Sequence, residues 1–184
     1  PPYGKSWKTD LERLTGSRRG KKDMHDPRFV IEHAGDPEYS LVTRSSDGQM
    51  LFLANKLSKM KAVTERSPLG SRIAEVHNGS SLFTGDAGQG ESNIRRWIIE
   101  NDWLEAIVAL PDQMFYNTGI STYIWLLTNR KAPERKGKVQ LINGVNHFRK
   151  MRKSLGDKRK ELGPEDIDSL TRLYAAFEEG PEVK

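Results

Sequence analysis

At 184 residues, 35% hydrophobic and 30% charged, the chain has the size and composition of one globular domain, able to bury roughly 70% of its unfolded surface. No apolar run approaches the ~20 residues of a bilayer span and no secretory-signal pattern is visible, so a spanning helix is excluded within these residues and no membrane partner is expected. The lack of cysteine excludes disulfides and thiolate zinc sites and fits a reducing cytoplasm, the expected location, while a net charge of +5 and a pI near 9.4 favour a polyanionic partner.

Residues 1–44 read as irregular, because Gly4, Gly16, Gly20, Pro27, Gly35 and Pro37 recur and apolar periodicity is short. A connection this long inside a domain is usually functional or mobile. It holds a first basic cluster: Lys5, Lys8, Arg13, Arg18, Arg19, Lys21 and Lys22. Ser45-Ser46-Asp47 supplies N-cap candidates for a helix over about 47–62, with Met50, Leu53, Ala54, Leu57 and Met60 on one apolar stripe that reads as core. Pro68-Leu69-Gly70 breaks the chain, and Arg72 to Val76 reads as a strand closed by the turn pair Asn78-Gly79. The loop Thr84 to Gly90 feeds a helix over about 91–102, striped by Ile94, Trp97 and Ile98. Its glycine spacing matches neither dinucleotide nor P-loop fingerprints, and Asp86 and Glu91 repel anions, so it reads as a flexible or substrate-adjacent loop.

Leu104 to Leu110, closed by Pro111, reads as a buried strand, Thr122 to Leu127 as a second, and Lys138 to Ile142 as a third. A second basic cluster follows: Arg149, Lys150, Arg152, Lys153, Lys158, Arg159 and Lys160. A helix over about 164–179 opens on Pro164, Glu165 and Asp166, carries Ile167, Leu170, Tyr174 and Phe177 on one face, and stops at Gly180-Pro181. Alternation of strands and helices predicts an α/β class with a mainly parallel sheet flanked by helices. The three successive strands without helices predict an antiparallel edge. Two parts are expected: 1–148, with a long basic loop at 5–44, and 149–184, a basic segment plus a helix.

Few residues carry a signal of chemistry. His25, His33, His77 and His147 lie outside helical ligand spacing of one another and of any matching carboxylate, so each reads as a surface or hydrogen-bonded residue and no metal is expected. Met114 to Thr122 is more telling. Phe115, Tyr116 and Asn117 fall in a loop between two apolar strands, either lining a ligand or folding back on the sheet. Either basic cluster reads as a solvated loop or as a set of phosphate contacts, drawn for the latter from Arg18, Arg19, Lys21, Lys22, Arg149, Lys150, Arg152 and Lys153. Pro1-Pro2-Tyr3, opening a chain without an initiator Met, reads as part of a motif in a longer protein. Such a turn suits methylation of a planar amino group: two prolines fix the backbone so that acceptors are preorganised around the NH₂, and an aromatic gives the base a face to stack on.

The chain resembles the modification subunit of type I restriction–modification systems, an N6-adenine DNA methyltransferase family. The resemblance is carried by PPYGKSWKTDLE at 1–12, SLVTRSSDGQMLFLANKLSKM at 40–60, the run from Gly70 to Lys131, and RKGKVQLINGVNHFRKMRKSLGDKRKEL at 135–162. It implies the second half of a Rossmann-like methyltransferase sheet. It further implies that Pro1, Pro2 and Tyr3 are the last three positions of an N-P-P-[YF] active-site motif. The Pro1 carbonyl would then accept from the target amine and Tyr3 would stack on a flipped adenine, with Phe115, Tyr116 and Asn117 opposite in the target-base pocket. The implied methyl donor is S-adenosylmethionine, and the implied partners are double-stranded DNA, a specificity subunit and a restriction subunit. The motif's Asn and the donor-binding strand–turn–helix are not among these 184 residues, so on their own they are expected to be catalytically inactive. Other readings are an RNA or protein-glutamine N-methyltransferase, or a non-catalytic nucleic-acid-binding or assembly domain.

Overall fold

A computed structural model of the chain describes residues 3–17 and 20–184, with Lys22 and Asp23 described by their backbone alone. Of the expected site residues, Pro1, Pro2, Arg18, Arg19 and the Lys22 side chain lie outside what is described. The described residues among the N-terminal 44 are more ordered than their composition predicts. They form α1 (Lys8–Thr15) and an antiparallel hairpin, β1 (Val30–His33) with β2 (Asp36–Ser40). α1 escapes a periodicity search because Leu11 is its one buried side chain, and its end is set by Gly16, whose left-handed backbone lets its N–H donate to Glu12 O. Backbone pairing anchors the start of this segment: Trp7 N–H donates to Ser45 O, Gly48 N–H to Lys5 O, and the Trp7 indole to Arg44 O.

α2 (Gln49–Leu57) is shorter than expected at both ends, and its stripe of Met50, Leu53, Ala54 and Leu57 is buried as predicted. Then come β3 (Arg72–Asn78), the single-turn α3 (Ser80–Phe83), α4 (Gly90–Glu100), β4 (Leu104–Ala109), β5 (Thr122–Thr128) and β6 (Gln140–Asn143). These four strands make the central sheet in the order β3-β5-β4-β6. β5 runs antiparallel to both neighbours, and β4 pairs with β6 in parallel. β3, β4 and β6 therefore share one direction, and the antiparallel pairing expected toward an edge joins the edge strand β3 to β5, which runs antiparallel to β4 as well. The link from β4 to β5 carries no helix, leaving room for a hairpin return but not for a parallel crossover.

The two faces of the sheet bury different clusters. Leu53, Ile94, Ile98, Trp125 and Leu127 pack with Leu11 and Leu41 on the face covered by α2 and α4. Val108, Leu110 and Ile142 pack on the other face with Leu170 of α5 (Pro164–Ala176). α5 begins where Asp166 accepts from the Gly163 N–H and ends at Phe177, which is left-handed. Residues 182–184 line the outer edge of β6 through backbone bonds between Leu141 and Lys184 and from Asn143 N–H to Glu182 O.

The basic segment from 149 is a second antiparallel hairpin, β7 (Arg149–Leu155) with β8 (Lys158–Glu161), which pairs with no other strand among the described residues. It lacks the apolar alternation that marks strands, so its order comes from what it packs against. No described helix is long and apolar enough to cross a membrane.

Candidate active site at the carboxyl edge of the sheet

Because β3, β4 and β6 run the same way, their carboxyl ends (Asn78, Ala109 and Asn143) lie on one edge, with the start of β5 beside them. Loops at that edge are where α/β sheets hold ligands. Three arrive there: 79–89, 110–121 and 144–148. The last is seated by close approach, since a Cβ at Gly144 would stand 2.7 Å from the Ala109 carbonyl oxygen and 2.9 Å from Leu170 Cδ2.

At β3 the site is polar and buried. Glu75 is half of an ion pair with Lys56 Nζ of α2, at 3.1 Å. Burial pushes its carboxyl up from the usual range, and the Lys56 ammonium opposes that shift. Tyr3 lies half-buried near Glu75; burial first, and that carboxylate second, hold its phenol above the ordinary value, so it is a neutral ring. His77 is 0% exposed. Its tautomer follows from its neighbours: Gln49 Oε1 accepts from the Asn78 N–H at 3.2 Å, so at 3.3 Å the His77 Nδ1 must be the donor and Nε2 carries the lone pair. That Nε2 is buried 3.9 Å from Glu75 Oε1 and has no hydrogen-bond partner among the described residues. Burial, with Lys56 nearby, takes the imidazole down to about 3, so it is neutral at physiological pH.

Gln49 ties this cluster to the strand end by donating to Asp47 Oδ2, Asn78 Oδ1 and Ser80 Oγ. Arg44 joins Asp47 to Glu91 at the start of α4, its guanidinium 3.3 Å from Asp47 and its N–H 3.0 Å from Glu91 Oε1. The void between them is about 10 Å³, far below the size of a ligand pocket, so this network supports the edge rather than binding at it. Sequence reasoning missed Glu75, Gln49 and Lys56. The one available signal was a pair of polar residues, Glu75 and His77, two apart at the strand read over Arg72 to Val76 and its end.

The aromatic loop is built differently. Phe115 bridges Thr118 in a tight turn that leaves Tyr116 58% exposed and Asn117 exposed. Of the two sequence expectations for these residues, folding back on the sheet does not occur for Tyr116, whose ring faces Lys158 Nζ of the hairpin at 5.6 Å. Gln113 O accepts from the N–H groups of Arg159 and Lys160, and Tyr116 O accepts from Asp157 N–H. Arg149, Lys150, Arg152 and Lys153 all lie on β7, exposed. Tyr3 and the aromatic loop thus have different described neighbours, Glu75 of β3 for the first and the hairpin for the second. Lys21 lies elsewhere, in a cleft of about 740 Å³ with Met24, His25, Tyr39 and Gly88 to Gly90.

Comparison with known proteins places this architecture. The profile of the N-6 DNA methylase family matches residues 1–183. The chain is 33% identical over 129 residues to the MjaIX type I restriction enzyme methylase subunit of Methanocaldococcus jannaschii, a match covering 70% of this chain and 22% of that protein. It is 26% identical over 179 residues to the MpnII methylase subunit of Mycoplasma pneumoniae, covering 95% and 31%. The chain thus spans less than a third of the length of these relatives. The crystal structure of a type I restriction–modification methyltransferase subunit from Streptococcus thermophilus superposes with a TM-score of 0.68 at 22% identity, covering all of this chain and 32% of the other. A modification subunit from Vibrio vulnificus YJ016 gives 0.57 at 17% identity, covering 89% and 35%. At these identities the structural likeness is one of fold, and it is the fold of methyltransferase subunits. With the family profile matched over nearly its whole length, the chain belongs to the N-6 DNA methylase family.

Proposed function

We propose that the chain is part of a DNA adenine-N6 methyltransferase subunit of a type I restriction–modification system, acting on an adenine flipped from the duplex. The observation that carries this reading is the edge itself. The loop after β4 presents an exposed Tyr116-Asn117 pair beside a hairpin rich in Lys and Arg, at the edge formed by the carboxyl ends of β3, β4 and β6. Extruding a base costs a few kcal/mol, which stacking of roughly 1–3 kcal/mol per base and amide contacts offset. Tyr3 supplies a neutral face for stacking, and the Asn117 amide offers a donor and an acceptor for a base edge. Pro1 and Pro2, with the acceptor role given to the Pro1 carbonyl, belong to the same reading.

S-adenosylmethionine is the donor that family membership implies, and when bound it supplies the electrophilic methyl. Among the described residues, the glycine-rich loop does not suit its cradle. The glycine-containing turn, Gly85 to Gly90, follows a helix rather than a strand and is flanked by acidic Asp86 and Glu91, and the large cleft beside it carries Lys21 and His25. Donor binding is therefore assigned to another part of the enzyme; a specificity subunit and a restriction subunit are the protein partners that go with this reading, and a cytoplasmic location goes with that assembly. The test is methyl transfer to adenine in duplex DNA by the full-length enzyme. Tyr3→Ala should lower kcat/KM by about 10- to 100-fold, the equivalent of ~1–3 kcal/mol of lost stacking. Transfer to RNA or to a glutamine amide, with duplex DNA inert, would overturn the reading.

A further inference from the structure

We propose that the β7–β8 hairpin grips the phosphate backbone of the nucleic acid and, through its bonds to Asp112, Gln113 and Tyr116, sets the position of the Tyr116 loop at the target base. The inference rests on the methyltransferase reading and adds the element that carries the loop. Seven of the thirteen residues from Arg149 to Glu161 are basic, against Asp157 and Glu161. Two of the seven have described ion pairs, Arg149 with Glu161 and Lys160 with Asp112. Lys150, Arg152, Lys153 and Arg159 stand exposed. A run of seven cations of which two have described ion pairs is the kind of charge density that neutralising a row of phosphates requires.

Charge alone describes any solvated hairpin. What a solvated hairpin does not explain is its attachment. A two-stranded hairpin with no sheet partner is marginally stable in water. This one is held by three backbone N–H groups donated onto the loop: Arg159 and Lys160 to Gln113 O, and Asp157 to Tyr116 O. At its tip Gly156 is left-handed, with φ of 61°, and a Cβ there would meet the Tyr116 carbonyl oxygen at 2.6 Å. The tip therefore closes directly on the backbone of the residue whose ring is exposed. Lys158 reaches that ring, and Lys160 packs over Phe148 at 4.2 Å, where the chain enters the hairpin. Hairpin and loop form one unit, so whatever fixes the hairpin fixes Tyr116. By linkage, an ordered loop must in turn favour backbone binding by the same factor.

The experiment uses the full-length enzyme, duplexes with 2-aminopurine at the target adenine, and a salt titration of DNA affinity. Gly156→Ala keeps every charge. It should leave the slope of log affinity against log salt unchanged while lowering the base-flipping fluorescence about 10-fold. Lys158→Met, which removes only the cation over the ring, should lower that signal about 2-fold and guards against a hairpin that fails to fold. Combining Lys150→Ala, Arg152→Ala and Lys153→Ala should reduce the slope by roughly 2–3, about 0.9 for each phosphate no longer neutralised. Full fluorescence in both Gly156→Ala and Lys158→Met would overturn the coupling. An unchanged slope in the triple variant, or loss of specificity-subunit binding in place of the slope change, would overturn the phosphate assignment. A wild-type enzyme that binds no duplex at all would instead sink the methyltransferase reading beneath it.

Discussion

Around β3, Glu75 and His77 are enclosed between the sheet and α2, each oriented by a named neighbour, Lys56 or Gln49. In the β7–β8 hairpin, by contrast, most of the charge points into solvent and the backbone does the holding. The difference teaches how to read charge in this chain. A buried ionisable group is costly unless its partners are fixed, so the β3 cluster is bound up with stability. Exposed charges contribute little to stability, and a hairpin that concentrates them is free to serve a partner.

Substitutions can break this contrast, beginning with the largest effect. Gly90 opens α4 against the segment leading into the β3 network, and a Cβ there would stand 2.1 Å from Val42 O and 2.7 Å from Thr43 N, both backbone atoms. Gly90→Ala should therefore cost about 3 kcal/mol in a urea titration with the slope m unchanged. The His77 imidazole is next. Its pKa is lowered by burial to about 3 from 6.5, so above pH 6.5 the folded state carries no penalty. As pH falls toward 3, the unfolded chain takes up a proton that the folded chain refuses, and stability drops by about 1.4 kcal/mol per unit. His77→Asn, which keeps an N–H for Gln49, should flatten that limb by about 2 kcal/mol between about pH 7 and pH 5.

Lys56→Met keeps the aliphatic stem and removes the cation from Glu75. Lys56 is 46% exposed, which reduces the loss to about 1–2 kcal/mol at pH 8. The Glu75 carboxyl is already raised, so protonation relieves the stranded charge and the loss should shrink toward pH 5. At the other extreme, the combined Lys150, Arg152 and Lys153 alanine variant should change stability by no more than about 0.5 kcal/mol. A large loss there would erase the distinction between the two regions.

Much of the core was legible in the sequence, because apolar period survives in α2, α4 and α5 and the apolar runs of β4, β5 and β6 stand out. The position of β5 was not, since period and length place a strand without naming its neighbours. α1 and the β7–β8 hairpin were invisible for a related reason: Leu11 is one buried side chain in eight, and a strand whose only apolar residues are Met151 and Leu155 shows no alternation. Their order comes from Gly16, Gly156 and bonds to distant loops. The aromatic turn at 115–117 stood out because core packing does not ask for an exposed Tyr-Asn pair. The Glu75–Lys56 pair and the His77 tautomer depend on contacts across α2 and β3 that no local pattern encodes.

The most direct measurement is radiolabelled methyl transfer to adenine in duplex DNA by the full-length enzyme, comparing wild type with Tyr3→Ala and Tyr116→Ala. The account predicts that both variants lose at least about 10-fold in kcat/KM while retaining the salt dependence of DNA binding. Wild-type rates in both would contradict it.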